Sequence, residues 1–501
     1  MERLSARHHL PMLLLIGAAL VIVACGRTAR PTPTPTFIAP AATPSPTPSA
    51  SPRASLSDED AVALARRFDG AAAHKLVEAL ADPSYMGRHV GTEGELKGAQ
   101  FLAERFKEAG LAPGGEGGSF LQPFPLQVQE LAAPPVLSLT DAVGQERTLR
   151  LRDDYRPIYG GLAGGGDVRG PGLFAGNGSD LSGLDVKGKV LHVVPRGRLA
   201  DIVSRARAAG ALGVIVTTGQ ATLMKGEGRP PDASAIPVAE VSQAGAASLL
   251  EGSGHTREEL NERIRSGQPL AGFPLKWTVR LAVPLRPPEN VTAHNVIGVL
   301  EGQGNPDEAV VVGAHYEEIG PDPDGTVYPA ANDNASGTAV LVGLARLLKE
   351  SGFRPRRTVI FVAWSGHEEG LFGSRFYAEH PVRPMSKTRL YLNLDTVGQG
   401  AAAELEAVPQ GAEARSLLDE ALDLLKKAGE APPVSVLGQP AGASDDSTFR
   451  DAGVPALSFE WGGLFEDGRI HTPADTADTV DAAKLKVTGL VSALALLLAA
   501  R

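Results

Sequence analysis

The sequence predicts an α/β fold: a mostly parallel mixed sheet flanked by helices, with a second, smaller α/β unit inserted into it. Short apolar segments rich in Val, Ile and Leu, such as EAVVVGAHY and RTVIFVAWS, indicate strands that are buried on both faces. Longer segments with helical spacing of apolar residues, such as GTAVLVGLARLLKES, separate these strands. This alternation favours a largely parallel sheet with helices on both sides.

A second alternation of strands and helices lies earlier in the chain and carries no cluster of histidine and carboxylate residues. In it, GKVLHVV, LGVIVTT and IPVAEVS are predicted strands, and ADIVSRARAAGA and QAGAASLLEG are predicted helices. We therefore divide the globular part into residues 57–133 and 285–501, which form the main domain, and residues 134–284, which form an inserted domain. The apolar C-terminal segment LKVTGLVSALALLLAAR is too short and interrupted to span a bilayer, so we expect a buried helix.

Composition excludes some classes of protein. The 501-residue chain is 43% hydrophobic and 21% charged, which is ordinary for a globular protein. Its formal net charge is −10 and it has no block of basic residues, which argues against a nucleic-acid partner. The only cysteine is Cys25, so the sequence provides neither a disulfide framework nor a cysteine-based zinc site.

The N-terminal residues 1–25 have the pattern of an export signal. Arg3 and Arg7 precede a mostly apolar run that ends in the small residues before Cys25. This ending resembles the lipobox of bacterial lipoproteins, which implies cleavage before Cys25 and lipid attachment to it. The alternative is a plain signal peptide with an incidental cysteine. Residues 26–56, rich in Pro, Thr and Ser, are predicted to be a disordered linker between the membrane anchor and a globular part outside the cytoplasm.

Histidine and carboxylate residues follow the predicted strands of the main domain, where parallel strands end at one edge of a sheet. In chain order they are His315, Asp333, Glu368, Glu369, Asp395 and His471. Each alone has a structural explanation, such as a hydrogen-bonded core histidine, a turn or a helix N-cap. Together, the buried carboxylates need positive partners that no Lys or Arg after these strands supplies, and divalent cations would supply that charge. Imidazole and carboxylate donors without thiolate suit zinc in a catalytic site.

Five segments that carry these residues resemble the co-catalytic zinc aminopeptidases of peptidase clan MH, whose relatives include glutamate carboxypeptidases. They are GAHYEEIG, AANDNASGTA, WSGHEEGLFGS, NLDTVG and HTPADT, in the order expected for that family. The segment MGRHVGTEGELKGAQFLAERFKEAGLAP resembles the helical start of the catalytic domain. The inserted residues 134–284 resemble a protease-associated domain.

The resemblance implies two zinc ions, or other divalent metals, and a peptide substrate. It assigns His315 and Asp395 to one ion, Glu369 and His471 to the other, and Asp333 to both. It assigns Glu368 as the general base that takes a proton from water and delivers it to the leaving amine. The expected activity is therefore that of an aminopeptidase that removes N-terminal residues from peptides.

Several positions depart from the family pattern, among them Glu317, His367 and Ile470. Glu317 stands where the family usually has Asp, and we expect it to orient an imidazole or to support the metal site from behind the ligands. His367 replaces an acidic or small residue, and the pattern gives it no role. Ile470 stands where some relatives have a tyrosine that polarises the carbonyl, so that help must come from another group.

Other functions remain open at this stage. A carboxypeptidase or dipeptidase of the same superfamily would need a basic pocket for a C-terminal carboxylate. A non-catalytic binding protein on the same scaffold would be expected to have lost metal ligands, and a single-zinc glutaminyl cyclase would not need the full set. The acidic turn GPDPDGT, residues 320–326, is either an ordinary turn or a calcium-binding loop.

Overall fold

The computed structural model describes residues 56–217, 223, 225, 231–268, 270–439, 443–463 and 468–501. The predicted export signal, Cys25 and nearly all of the predicted linker lie outside these residues.

The α-helices lie in both parts of the chain. In chain order they are α1 Asp58–Ala65, α2 Gly70–Leu80, α3 Glu93–Glu108, α4 Leu199–Ala208, α5 Gln243–Leu250, α6 Arg257–Arg265, α7 Gly337–Ser351, α8 Phe372–Glu379, α9 Ala412–Lys427, α10 Asp446–Asp451 and α11 Ala482–Ala500. Several begin at a side chain that accepts a hydrogen bond from the first turn: Ser57 before α1, Asp69 before α2, Thr92 before α3 and Asp481 before α11.

The strands form two separate sheets. In chain order they are β1 Ala112–Pro113, β2 Leu121–Val128, β3 Val136–Thr140, β4 Glu146–Thr148, β5 Tyr155–Ile158, β6 Gly161–Gly164, β7 Gly166–Phe174, β8 Val190–Val193, β9 Gly213–Thr217, β10 Pro231–Val241, β11 Phe273–Val283, β12 Glu289–Leu300, β13 Asn305–His315, β14 Arg357–Trp364, β15 Thr388–Leu394, β16 Leu405–Gln410, β17 Val434–Val436 and β18 Ala456–Trp461. We call the sheet of β1, β2 and β12–β18 the main sheet, and the sheet of β3–β11 the insert sheet.

The main sheet confirms the predicted mostly parallel, mixed arrangement. Its strand order is β1-β12-β14-β13-β15-β18-β16-β17, and β2 pairs with β12. The central strands β14, β13, β15 and β18 run parallel to one another, whereas β12 and β16 run antiparallel to their central neighbours. The carboxyl ends of the four central strands therefore meet at one edge.

The insert sheet has the order β4-β3-β11-β7-β8-β9-β10-β5, with β6 paired to β10. Its strands β7, β8, β9 and β10 are parallel, and β11 and β3 add antiparallel strands on one side. All of its strands fall between residues 136 and 283, so a single insertion in the chain builds the whole second unit.

Helix α11 packs in the core of the main domain. By length and composition it is the one helix among the described residues that could cross a membrane, but 67% of its most apolar window is buried. Its Gly489 lies against the ring of Phe68, where an added Cβ would approach Phe68 Cδ1 to 2.1 Å. The helix is thus the buried packing element that its sequence predicts. Each fully buried leucine, such as Leu494 or Leu497, contributes on the order of 1.5–3 kcal/mol.

Candidate metal centre

His315 and two carboxylates form the first half of a buried cluster at the carboxyl edge of the main sheet. His315 is the last residue of β13, and Asp395 directly follows β15. The His315 Nε2 atom lies 3.2 Å from Asp333 Oδ1 and 3.3 Å from Asp395 Oδ1. The His315 side chain is 1% exposed, so these groups interact away from water.

His471 forms the second half of the cluster and shares Asp333 with the first. Its Nε2 atom lies 3.1 Å from Asp333 Oδ2, 3.4 Å from Glu368 Oε1 and 3.7 Å from Glu318 Oε1. Asp333 therefore presents one oxygen to each histidine. This is the arrangement expected of a carboxylate that bridges two cations.

The donor atoms fit divalent metal ions. Three groups of donors have ligand atoms within 4.8 Å of one another: His315, His367 and Asp395; His315, Asp333 and Glu368; and Glu318, Glu368 and His471. Each group mixes imidazole nitrogen with carboxylate oxygen, a combination that suits zinc and similar ions. The cluster also carries more carboxylates than imidazoles, so a bound cation would relieve like-charge repulsion.

Glu369, the predicted metal ligand next to Glu368, is buried in the same turn, and its role as a ligand stays a prediction. Its side chain is 4% exposed, and its Oε1 lies 3.9 Å from His89 Nδ1. Glu368 and Glu369 lie in a turn between Gly366 and Gly370, which both have positive φ values (68° and 121°). In this turn Glu368 Oε1 lies 3.4 Å from His471 Nε2, whereas Glu369 Oε1 faces His89.

Glu317 stabilises the cluster through both its side chain and its backbone. Its carboxylate accepts hydrogen bonds from the backbone N–H groups of His367, at 3.0 Å, and Glu368, at 3.1 Å. Its carbonyl oxygen lies 3.2 Å from His315 Nδ1. The imidazole is thus oriented by the backbone of Glu317, while its carboxylate fixes the turn that carries Glu368.

Asp333 is positioned by the segment before α7. The backbone N–H groups of Asn332 and Asp333 donate to the two oxygens of Asp475, at 2.8 and 3.0 Å. Asn334 Oδ1 accepts from the backbone N–H of Gly337, at 2.9 Å, at the start of α7. The segment ANDNASG therefore does what a turn and helix cap do, and it also delivers Asp333 to the cluster.

His367 faces the first half of the cluster. Its ring stacks on the His315 ring, with centroids 3.8 Å apart and planes inclined by 11°. Its Nδ1 lies 2.9 Å from Asp445 Oδ2, and the Asp445 side chain is 1% exposed. A buried carboxylate therefore fixes the orientation of an imidazole that the sequence pattern left without a role.

The pKa shifts describe a site with surplus negative charge. Burial lowers the pKa of His315, but Asp395 and Asp333 outweigh it and raise that pKa well above the usual value. At His471, burial lowers the pKa, but Glu368, Glu318 and Asp333 outweigh it and raise that pKa well above the usual value. Burial and the neighbouring His315 lower the pKa of His367, yet Asp445 and Glu368 raise it to about 9. An environment that stabilises protonated imidazoles also attracts metal cations.

Arg88 supplies a fixed positive charge behind the cluster. It is fully buried and donates hydrogen bonds to four backbone carbonyls: Tyr316 at 2.5 Å, Leu80 at 2.6 Å, Pro329 at 3.1 Å and Ala330 at 2.9 Å. The last two carbonyls immediately precede the segment that carries Asp333.

Several of these contributors were not predicted as site residues. Glu318 directly follows Glu317, so the repeated acid in GAHYEEIG was a signal for a second inward-facing carboxylate. Asp445, Asp475 and Arg88 act through folding-dependent contacts, and their spacing in the sequence gives no such signal.

In the turn GPDPDGT, Asp322 pairs with Arg152 at 2.6 Å and accepts from Tyr328 Oη, so its carboxylate is engaged as in an ordinary structural turn.

The fold and the site together resemble those of metal-dependent peptidases of α/β architecture. Residues 295–496 match the model of peptidase family M28, and residues 160–249 match the PA domain. The main domain is therefore similar to peptidase family M28, and the inserted domain is similar to the PA domain.

Sequence relatives include peptidases of two kinds. The chain is 29% identical over 209 residues to Aminopeptidase YwaD of Bacillus subtilis (strain 168), covering 40% of this chain and 43% of that protein. It is 31% identical over 196 residues to Glutamate carboxypeptidase 2 homolog of Caenorhabditis briggsae, covering 34% of this chain and 24% of that protein. The matches thus span less than half the length of these curated relatives.

Solved structures share the fold over most of the chain. An aminopeptidase from Aneurinibacillus sp. strain AM-1 matches with a TM-score of 0.64 and 22% identity, over 88% of this chain and 96% of that chain. A Peptidase M28 precursor from Shewanella amazonensis SB2B matches with a TM-score of 0.66 and 19% identity, over 89% and 96%. Their coverage includes the inserted unit as well as the main sheet.

Proposed function

We propose that this protein is an exported, lipid-anchored dizinc aminopeptidase that hydrolyses N-terminal residues from peptides. The observation that carries the proposal is the convergence of His315, Asp333 and His471, in which Asp333 presents one oxygen to each imidazole. The similarity to an aminopeptidase and to glutamate carboxypeptidase homologs supports a peptide substrate.

The proposed ligands follow from the donor groups. His315 and Asp395 would hold one ion, His471 and Glu369 would hold the other, and Asp333 would be shared. Ions of this kind polarise a carbonyl group and lower the pKa of water towards neutrality. Glu317 holds the turn of Glu368 in place through two backbone N–H groups, so the ligand set is preorganised by the chain itself.

Glu368 is the group that we propose to act as the general base, which takes a proton from water and delivers it to the leaving amine. Its Oε1 lies 3.4 Å from His471 Nε2, within the cluster of imidazoles and carboxylates. Its backbone N–H donates to the Glu317 carboxylate at 3.1 Å, which fixes the turn that carries it. His367, whose Nδ1 lies 2.9 Å from Asp445 Oδ2, is a neighbour of this base without an assigned role.

Metal analysis and activity together test these roles. Wild type, Glu368→Ala and Glu369→Ala are compared for zinc content and for hydrolysis of a panel of aminoacyl chromogenic substrates. We expect two zinc ions per wild-type chain and loss of an ion in Glu369→Ala. Glu368→Ala should retain both ions, with a rate reduced about 10²–10⁴-fold.

Other outcomes would revise the proposal. A folded wild-type protein with less than one equivalent of zinc would overturn it. Loss of an ion in Glu368→Ala, with both ions retained in Glu369→Ala, would exchange the proposed roles of the two glutamates. Full zinc content without hydrolysis of any substrate would favour the non-catalytic binding protein.

A carboxypeptidase or dipeptidase is the second candidate, because curated relatives include glutamate carboxypeptidase homologs. Paired peptides with a free or an acetylated N-terminus separate the two activities. An aminopeptidase cleaves only the free peptide, whereas cleavage of the blocked peptide favours the carboxypeptidase.

The lipid anchor is tested by cell fractionation of wild type and Cys25→Ser. We expect the wild-type protein in the membrane fraction and the variant released from it, because the lipid is attached through the thiol of Cys25. Equal release of both proteins would contradict the anchor and would favour a plain signal peptide.

A further inference from the structure

Lys225 of the inserted domain makes a reciprocal backbone contact with His471. The Lys225 carbonyl oxygen lies 3.0 Å from His471 Nδ1, and the Lys225 backbone N–H donates to the His471 carbonyl at 3.1 Å. A carbonyl can only accept, so the bond to Nδ1 requires the proton to be on Nδ1. The Nε2 lone pair of His471 is then directed to the side where Asp333 and Glu368 lie, at 3.1 and 3.4 Å.

The side chain of Lys225 anchors this contact in the main domain. Its ammonium group donates to the carbonyl oxygens of Ile319 at 2.5 Å, Gly320 at 3.1 Å and Pro321 at 3.1 Å. These three residues directly follow Glu318 of the cluster. An ammonium has three N–H donors, so three carbonyl acceptors match its capacity.

The backbone of Lys225 therefore contacts His471, and its side chain contacts the segment that follows Glu318. The residue is 6% exposed, and its ammonium also lies 5.4 Å from the centroid of the Tyr328 ring. A second contact from the inserted domain reinforces the same segment, since Arg152 pairs with Asp322 at 2.6 Å. Because its donors point at backbone carbonyls, the Lys225 ammonium is placed to position the chain and not to bind a substrate carboxylate.

We propose that Lys225 is a positioning residue through which the inserted domain fixes the tautomer and orientation of His471, and so sets the metal affinity of that half of the site. The inference rests on the proposed function, because it takes His471 to be a metal ligand. It gives the inserted domain a direct part in assembling the metal centre.

Zinc titration with a competing fluorescent chelator tests the inference on metal-free protein. The variants are Lys225→Met, Lys225→Arg and the matched control Lys276→Met, which removes an exposed lysine of the same domain that pairs with Glu251. We expect Lys225→Met to weaken one of the two zinc-binding steps about 10–100-fold, as loss of a group behind a metal-binding histidine does. Lys225→Arg keeps the charge and should lose less, and the Lys276→Met control should titrate like wild type.

A measurement on the wild-type protein keeps the test independent of folding defects. In long-range ¹H–¹⁵N spectra of histidine-labelled, zinc-loaded protein, the His471 signals, assigned by their absence in His471→Ala, should report a proton on Nδ1. A proton on Nε2 would overturn the proposal. So would wild-type zinc affinity in a folded Lys225→Met variant, or an equal weakening of both zinc-binding steps in it. If His471→Ala itself binds zinc like wild type, the proposed function fails, which is a different result.

Discussion

The main sheet and the insert sheet have the same central design, four adjacent parallel strands, yet they hold their histidines in opposite electrostatic states. In the main sheet, His315 ends β13 beside Asp333 and Asp395, which raise its pKa well above the usual value against the effect of burial. In the insert sheet, His192 lies within β8, and burial lowers its pKa to about 4. The fold alone does not therefore determine the chemistry of a buried histidine.

The partners of these histidines explain the difference. His192 Nε2 lies 2.8 Å from Thr217 Oγ1, and the Phe174 ring packs edge-on at 5.5 Å. A hydroxyl and an aromatic ring stabilise a neutral imidazole, whereas carboxylates stabilise a charged one or a metal-bound one. Polar residues at the carboxyl ends of the strands make the main sheet a candidate reaction site, and the insert sheet lacks such a cluster among its described residues.

Substitution of the shared carboxylate, Asp333, should cause the largest loss of zinc affinity at the main-sheet site. Asp333→Ala removes an oxygen from each half of the cluster, and we expect zinc affinity to fall more than about 100-fold, since loss of groups behind ligands already costs 10–100-fold. Zinc titration and peptidase assays measure the effect. His192→Gln, in the insert sheet, serves as the control and should retain wild-type zinc binding. Wild-type zinc affinity in Asp333→Ala would contradict the proposed bridging role.

The pH dependence of stability should show that His192, unlike His315, is neutral in the folded protein. Its folded-state pKa of about 4 lies below its usual 6.5, so its contribution to stability is present above pH 6.5 and is lost as the pH falls towards 4. The loss should reach about 3 kcal/mol of unfolding free energy, from a shift of about 2.5 units at 1.36 kcal/mol each. Urea denaturation at pH 7 and pH 5 should show a smaller pH effect in His192→Gln than in wild type. An unchanged pH effect in the variant would contradict the neutral state of His192.

Substitution of Glu317 should have a smaller effect on the main-sheet site than loss of Asp333. Its two carboxylate oxygens each accept one backbone N–H, from His367 and from Glu368. Glu317→Gln has one carbonyl oxygen in place of two acceptors, so one N–H loses its partner and the turn shifts. We expect zinc affinity or the hydrolysis rate to fall about 10–100-fold. Chelator competition and the chromogenic assay measure these quantities, and values within twofold of wild type would argue that the turn holds its position without this carboxylate.

The fold was largely predictable from the sequence because its signals are local. Apolar runs such as RTVIFVAWS correspond to β14, and the helical periodicity of GTAVLVGLARLLKES corresponds to α7. Strands β16 and β17 were not predicted. They lie at one edge of the main sheet and are short, and β17 is only partly buried, so their apolar pattern is weak.

The site was predictable where one residue of a kind stands at the end of a strand, as with His315 and Asp395. For the adjacent Glu368 and Glu369, the resemblance alone assigned separate roles, because which of two neighbouring side chains faces a metal depends on the backbone of the turn. Sequence could not find Lys225, which lies 246 positions from His471 and acts partly through its backbone. Contacts of this kind leave no pattern in the side-chain sequence.

The buried guanidinium of Arg88 has a consequence for the order of assembly. An arginine is always charged, and this one donates to the carbonyls of Tyr316 and Ala330, on the two segments that carry His315 and Asp333. The carboxylates therefore share a permanent internal counterion that does not depend on supply from outside. In contrast to small zinc-dependent domains that fold only around their ion, we expect this chain to fold before it receives its metal.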